Sequence, residues 1–433
     1  MIKNKKFGLA LSGGGYRASA YHLGTLRKLN ELGLLDKVDV FSTVSGGSIV
    51  GTDYVLNKGI SGGYSQFEKD HISRLKQSVI GKLLRSFTFF LIALGLIIWL
   101  GAIIFFQFTC ICWISLILIV AGIWFIISRQ FSIFPVSRII EGIYNKIFFH
   151  GKTLSDLPDQ PMMAINSTNL ETGRPFTFSG NRMGDSTYDF PEKGEPIKFD
   201  ADHFPVARSV MASSCVPFAF TPVQIAGKFF RNPADVKRVR PALIDGGVYD
   251  NQGIHKLNQE KSTYACDVIV VSDAGNKMDN DSRANNVVVL LSRTCNLFMN
   301  RIKKFEMTDN LYHNVMLKKK EVAYISLGWD LENCISGFVT NLSQGLVLPE
   351  VVSAHNIPQN ILNPFNEAEI IKYLEDRTGY NKILARDQGN REVARAVSTN
   401  LTALSDKKIN ALINHSELMT ELQVKLYCPT LVG

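Results

Sequence analysis

Between Phe7 and Gly51 the chain twice passes from an apolar run through glycines into residues at helical spacing, a pattern few backbones can satisfy. The run Phe7 to Leu11 stops at Gly13, Gly14 and Gly15, and Ala20, Leu23, Leu26 and Leu29 then recur with helical period. That spacing predicts a strand, a glycine turn and a helix. Glycines at such a junction take dihedrals closed to other residues and let successive N–H groups point at one spot beside a helix N-terminus, where an anion is welcome. The pattern then repeats. Val38, Val40 and Val44 read as a second strand, Ser45 follows, and Gly46 and Gly47 turn the chain into Ser48. A serine on a sharp strand-to-helix turn presents its hydroxyl at the C-terminal edge of a sheet, the geometry of a nucleophile elbow.

Further on, Leu243 and Ile244 lead into Asp245, Gly246 and Gly247. An apolar strand ending in an acid and two glycines places a carboxylate where it can approach a serine on a neighbouring element. Gly13-Gly14-Gly15-Tyr16-Arg17, Thr43-Val44-Ser45-Gly46-Gly47 and Asp245-Gly246-Gly247, in that order, resemble the patatin-like phospholipase family. Its members carry a GGGxR or GGGxK turn, a GxSxG elbow and a later DGG or DGA. The resemblance implies a Ser45–Asp245 dyad, with Ser45 as nucleophile and Asp245 as general base. It also implies an oxyanion site at Gly13, Gly14, Gly15 and Gly46, with Arg17 ordering that loop, and no metal or cofactor. Thr43 stands where the family has glycine, which narrows the geometry open to the turn. Ser48 and Asp250 are the local rivals; Ser48 lies past the turn, and Asp250 lacks the strand-end position. Met162 to Phe176, with its Thr-Gly turn, and Val206 to Val223 also resemble the family. In the latter, Arg208, Ser213 and Ser214 read as packing residues, since hydroxyls on a packed helix usually serve neighbouring hydrogen bonds.

Two other readings compete. Gly13, Gly15 and Ala18 fit a GxGxxA dinucleotide fingerprint with Asp36 or Asp39 as the ribose acid, but this leaves the Ser45 turn and the Asp-Gly-Gly unexplained. A Ser-His-Asp triad would need a histidine. His22 sits on the helix after the glycine turn, where packing or orientation is its expected role, and His255 follows Asp245 by ten residues. Neither has the distant downstream placement of an α/β-hydrolase histidine.

From Phe87 to Ile127 no charged residue occurs, a run about twice the ~20 residues that cross a bilayer as a helix. Gln107, Phe108 and Thr109 form its most polar point, near the middle. Two spans meeting there predict a transmembrane hairpin with Trp99, Trp113 and Trp124 among its aromatics; a re-entrant hairpin and a pair of buried helices are the alternatives. Arg85 and Arg129 flank the block, which places both outer ends in the cytoplasm. Phe134 to Lys152 is expected to run back along the membrane surface. The net charge of +8 is scattered or flanks the apolar block, as membrane-adjacent charge does, and does not indicate nucleic acid. Seven cysteines, odd in number and without a CxxC pair, imply neither a disulfide framework nor a zinc site. The N-terminus enters the first strand without a signal-peptide apolar region.

The expected architecture is α/β: a mainly parallel sheet flanked by helices, with the catalytic region at 1–80 and 150–275, the hairpin inserted at 86–128, and a mostly helical extension at 276–433. The expected activity is that of a membrane-anchored serine acyl hydrolase of phospholipase A or lysophospholipase type, acting on membrane phospholipid through an acyl-serine. Its expected place is a bacterial-type cytoplasmic membrane, with the catalytic region facing the cytoplasm. A lipid acyltransferase on the same dyad and a catalytically weak membrane scaffold or sensor are the alternatives.

Overall fold

The computed structural model describes residues 5–276 and 285–432. The lead-in at residues 1–4 and the join between the catalytic and C-terminal regions at 277–284 lie outside the described residues. The apolar runs become strands: β1 (Phe7–Leu11), β2 (Val40–Thr43), β3 (Met162–Asn169), β4 (Pro175–Phe178), β5 (Met183–Gly184), β6 (Val223–Gln224), β7 (Ala242–Asp245), β8 (Val268–Asp273) and β9 (Glu321–Ser326). They form one mixed sheet with the main path β5-β4-β3-β2-β1-β8-β9. Its centre, β3-β2-β1-β8-β9, is parallel, and β4, β5, β6 and β7 join antiparallel at one side. Strands buried on both faces need unbroken apolar sequence, which is why β1, β2 and β8 read as solid hydrophobic runs. The fold is α/β, with helices flanking a sheet more mixed than expected.

One register matters most. The strand β3 is long enough to pair twice along the same edge: its first half lies beside β2, ending at Thr43↔Ile165, and its second half beside β7, ending at Asp245↔Ser167. Because β2 runs parallel to β3 and β7 antiparallel, the C-terminal ends of β2 and β7 point at each other. Asp245 therefore sits on a strand opposed end to end to the one before Ser45, rather than on a lateral neighbour of it.

Helix α1 (Gly15–Glu31) leaves the glycine turn and α2 (Gly46–Asn57) the serine turn. The helix Asp406–Tyr427 packs against α1 so closely that a Cβ on Gly24 would stand 2.3 Å from the Ile413 carbonyl oxygen. Thr25 Oγ1 and Ser416 Oγ hydrogen-bond across this contact at 2.9 Å. Together with β9, which pairs along β8, this helix builds the C-terminal region into the sheet and its cover instead of leaving it as an appendage.

The charge-free block forms two helices, Phe87–Gln107 and Trp113–Ile133, each long and apolar enough to cross a membrane. They lean on each other, with Trp99 Nε1 donating to the Leu118 carbonyl at 3.2 Å, and Ser115 is the one side chain of the two that is buried. The stretch after them departs from expectation. The helix Val136–Tyr144 and the turn that follows bury Ile140, Tyr144, Phe148 and Phe149 in the protein core. Phe148 meets Tyr16 edge-on, with ring centroids 6.3 Å apart. Its amphipathic pattern reflects a core-facing stripe, which has the same helical period as a membrane-facing one.

Candidate active site

Ser45 caps α2 with φ 51 and ψ −115, a left-handed φ that a non-glycine residue holds only when its surroundings enforce it. The enforcement is visible. Its N–H donates to Ser213 Oγ at 2.9 Å, and that hydroxyl in turn donates to the Asn166 carbonyl at 2.6 Å and contacts Ser48 Oγ at 2.8 Å. Ser213, read from sequence as packing, thus anchors the elbow. On the far side of the turn, a Cβ at Gly47 would meet the Leu11 carbonyl oxygen at 2.3 Å, so only glycine lets the turn close against β1. Thr43 fits because Gly51 leaves room: a Cβ there would stand 2.8 Å from the threonine methyl carbon. Its hydroxyl accepts from Ser48 Oγ at 3.0 Å. That bond and the Ser213 contact occupy the fully buried Ser48 hydroxyl.

Asp245 and Ser45 are 4% and 5% exposed. Burial pushes the Asp245 carboxyl up to about 7, against the pull of the Gly247 N–H, which bonds it, and of the nearby Ser45 hydroxyl, both of which favour its charged form. The Gly247 bond is 2.7 Å long. A carboxyl poised near neutrality beside a serine hydroxyl can accept that serine's proton. Asp250 is engaged elsewhere, its carboxylate accepting the Gln252 and His255 N–H groups at 2.8 Å each.

The two glycine turns touch: a Cβ on Gly46 would fall 2.1 Å from the Gly15 carbonyl oxygen. Gly15 and Gly46 open their helices, where N–H groups have no intrahelical acceptor. Among the described residues, the N–H groups of Gly14, Gly15 and Gly46 donate to no protein atom. Gly13 differs from the expectation, since its N–H is spent on the Asn251 carbonyl at 3.0 Å. It holds the turn in place: a Cβ on Gly13 would collide with Asn251 Oδ1 at 2.3 Å and approach the Ser45 Cβ at 3.3 Å. The close approach leaves room for glycine alone. Arg17 Nη1 donates to the Val397 carbonyl at 3.2 Å, and the Tyr16 N–H donates to the Asn400 carbonyl at 2.9 Å. The glycine turn is therefore clasped by the segment just before the last long helix. Nothing in the sequence around Val397 or Asn400 signalled this, because main-chain acceptors carry no residue signature. Asn251 takes the Gly13 N–H through the same kind of main-chain acceptor.

Neither histidine joins the pair in the hydrogen bonds of the described residues. His22 is fully buried, its Nδ1 2.7 Å from Ser272 Oγ and its Nε2 2.9 Å from the Ser12 carbonyl, and burial pushes it down to about 4. It braces β1 against β8. His255 faces Glu306, with Nδ1 3.8 Å from the carboxylate. No group of three or more histidine, cysteine, aspartate or glutamate side chains among the described residues is arranged to hold a metal ion.

No curated protein matches the chain. Among solved structures, human GIVD cytosolic phospholipase A2 aligns with 62% of the chain at 13% identity and a TM-score of 0.38. The chain spans 45% of that protein's length. VipD from Legionella pneumophila aligns over 99% of this chain and 92% of its own, at 13% identity and a TM-score of 0.32. At these scores neither likeness bears on the chemistry. The family model for patatin-like phospholipases matches residues 9–257, which is 249 of 433 positions and takes in both glycine turns, Ser45 and Asp245. The chain belongs to the patatin-like phospholipase family.

Proposed function

We propose that this protein is a membrane-anchored lipid acyl hydrolase of phospholipase A or lysophospholipase type. Ser45 attacks the ester carbonyl while Asp245 takes its proton. The tetrahedral oxyanion is held by the N–H groups of Gly14, Gly15 and Gly46, whose hydrogens have no acceptor among the described residues. Asp245 then protonates the departing alcohol, and the same carboxylate draws a proton from the water that releases the fatty acid from Ser45. Gly13 and Arg17 act by fixing the turn. The observation that carries this reading is the buried Asp245 carboxyl at the end of β7, opposed end to end to the strand that leads into Ser45.

Membership of a phospholipase family supports a lipid ester as substrate. The two exposed apolar helices support an anchor in the bilayer, and the flanking Arg85 and Arg129 support a cytoplasmic catalytic region. An anchor of that kind keeps the cleft beside its substrate.

An active-site-directed fluorophosphonate, applied to the full chain in lipid vesicles, tests the assignment. The parent protein is expected to label and to hydrolyse phospholipid esters. Ser45→Ala is expected to do neither, and Asp245→Asn to lose hydrolysis, both with unchanged circular dichroism. Undiminished labelling in folded Ser45→Ala, or full hydrolysis in Asp245→Asn, would overturn the dyad.

A further inference from the structure

At the β9 edge of the sheet, three strand positions from β2, lies a cavity of about 490 Å³. At ~4.8 Å per strand it is displaced from the Ser45 elbow by roughly 14 Å, and it shares no lining residue with the dyad or either glycine turn. Its volume falls within the ~300–1,000 Å³ that small-molecule sites occupy.

The walls specify what would fit. Val322, Tyr324, Trp329, Leu348, Val351 and Tyr427 give the cavity a largely apolar lining. Each acidic side chain in the lining is already answered by a cation. Glu321 is bonded by Lys5 at 2.8 Å and by Thr430 Oγ1 at 2.7 Å, and Asp330 pairs with Arg395 at 2.8 Å. The one lining cation, Lys320, donates to the Leu257 carbonyl at 3.2 Å. A cationic guest would be desolvated there with both lining carboxylates already paired. Gln423 is different. It is 2% exposed, it lines the cavity, and its Oε1, closed off as the side chain lies, has no hydrogen-bond donor among the described residues. A buried carbonyl without a donor costs about 1–3 kcal/mol, which a guest carrying an O–H would relieve.

We infer that this cavity is a binding site for a neutral, hydroxyl-bearing amphiphile such as a long-chain alcohol or a glycerol monoester, with the Gln423 amide turned so that Oε1 accepts from the hydroxyl and the chain lies against the Tyr324–Trp329 wall. The helix Val287–Tyr312 runs along both sites. Met307 and Asn310 line the cavity, and two turns earlier the Met299 methyl stands 2.9 Å from where a Cβ on Gly247 would be, beside Asp245. Cavity and dyad thus share one rigid element.

The test uses the full chain in phosphatidylcholine vesicles, free of sugar detergents whose hydroxyls would compete, and a diazirine-bearing dodecanol as photocrosslinking probe. Crosslinked peptides are mapped by mass spectrometry, and labelling of the apolar hairpin serves as an internal control for probe in the bilayer. Saturable crosslinks are expected on the 322–329 and 347–351 segments, displaced by excess dodecanol and not by dodecanoate. Gln423→Leu should weaken them about tenfold. Should that variant misfold, Gly337→Phe is the alternative: Gly337 lines the cavity with open space around its Cβ position, so phenylalanine fills the site without displacing a neighbour and should abolish the crosslinks. Crosslinks confined to the hairpin, equal displacement by dodecanoate, or undiminished labelling in a folded Gln423→Leu or Gly337→Phe protein would overturn the assignment. The readout needs no ester hydrolysis, so it stands apart from the fate of the dyad.

Discussion

The pH dependence of hydrolysis follows from one number. An aspartate in water titrates near 3.9, whereas burial moves Asp245 up to about 7. With Asp245 as general base, the rate tracks its ionised fraction, which at pH 5 is about 1% for the shifted group and above ~90% for an ordinary one. The value of kcat/KM for a soluble short-chain ester should therefore rise about 90-fold between pH 5 and pH 8, along a limb centred near 7. A soluble ester is the right substrate because its protonation and its access to the site do not vary with the vesicle surface. A profile flat from pH 5 to pH 8 would refute the reasoning. Stability should move the opposite way. The folded-state pKa is raised, so the fold holds this proton more tightly than the unfolded chain does. The resulting stabilisation is fully present below the unfolded value near 3.9 and is lost as pH rises through about 7. At 1.36 kcal/mol per pH unit the swing is at most about 4 kcal/mol. Asp245→Asn removes the ionisation, so this inactive variant should melt above the parent at pH 8 and lose that advantage at pH 4. Absence of any gain at pH 8 would show that burial of the charge is not what raises the carboxyl.

Three further outcomes follow from the same contacts. Ser213→Ala removes the acceptor of the Ser45 N–H and the donor to the Asn166 carbonyl. It should cost about 1–3 kcal/mol of stability in denaturant titration and slow fluorophosphonate labelling at least fivefold. Gly46→Ala would set a methyl 2.1 Å from the Gly15 carbonyl oxygen, and it should abolish labelling even where circular dichroism shows folded protein; normal labelling would mean the two turns are not in contact. Thr43→Gly restores the family's residue but empties the space beside Gly51 and frees the Ser48 hydroxyl. It should lower the melting temperature while leaving kcat within about threefold of the parent, and a large gain in kcat would instead mark Thr43 as a brake on the elbow.

Much of the sheet and both glycine turns were legible because their constraints are local. A buried parallel strand must be apolar throughout, and a turn that brings two backbones within contact must be glycine. The order of Gly14, Ser45 and Asp245 along the chain could be read for the same reason. The antiparallel docking of β7 could not, since nothing within Ala242–Asp245 records which edge it joins or in which direction. Gly13 carried the right residue type, but its N–H is given to Asn251, a main-chain choice invisible in side-chain letters. Phe134 to Lys152 misled because helical amphipathicity fixes a face and leaves open whether protein or lipid covers it. The clasp at Val397 and Asn400 is the hardest kind of feature to foresee, being built wholly from carbonyl groups.

That clasp also sets an order of events. Arg17 and Val397 are 380 residues apart in sequence. During synthesis the serine turn emerges first, the apolar hairpin next and the acid after it, and the peptide that fastens the glycine turn is made near the end. On the proposed reading, a nascent chain is thus seated in its bilayer before its glycine turn is fastened. On that reading, competence to cut lipid waits for the 397–400 segment, and a chain truncated before it lacks the contacts that hold the glycine turn.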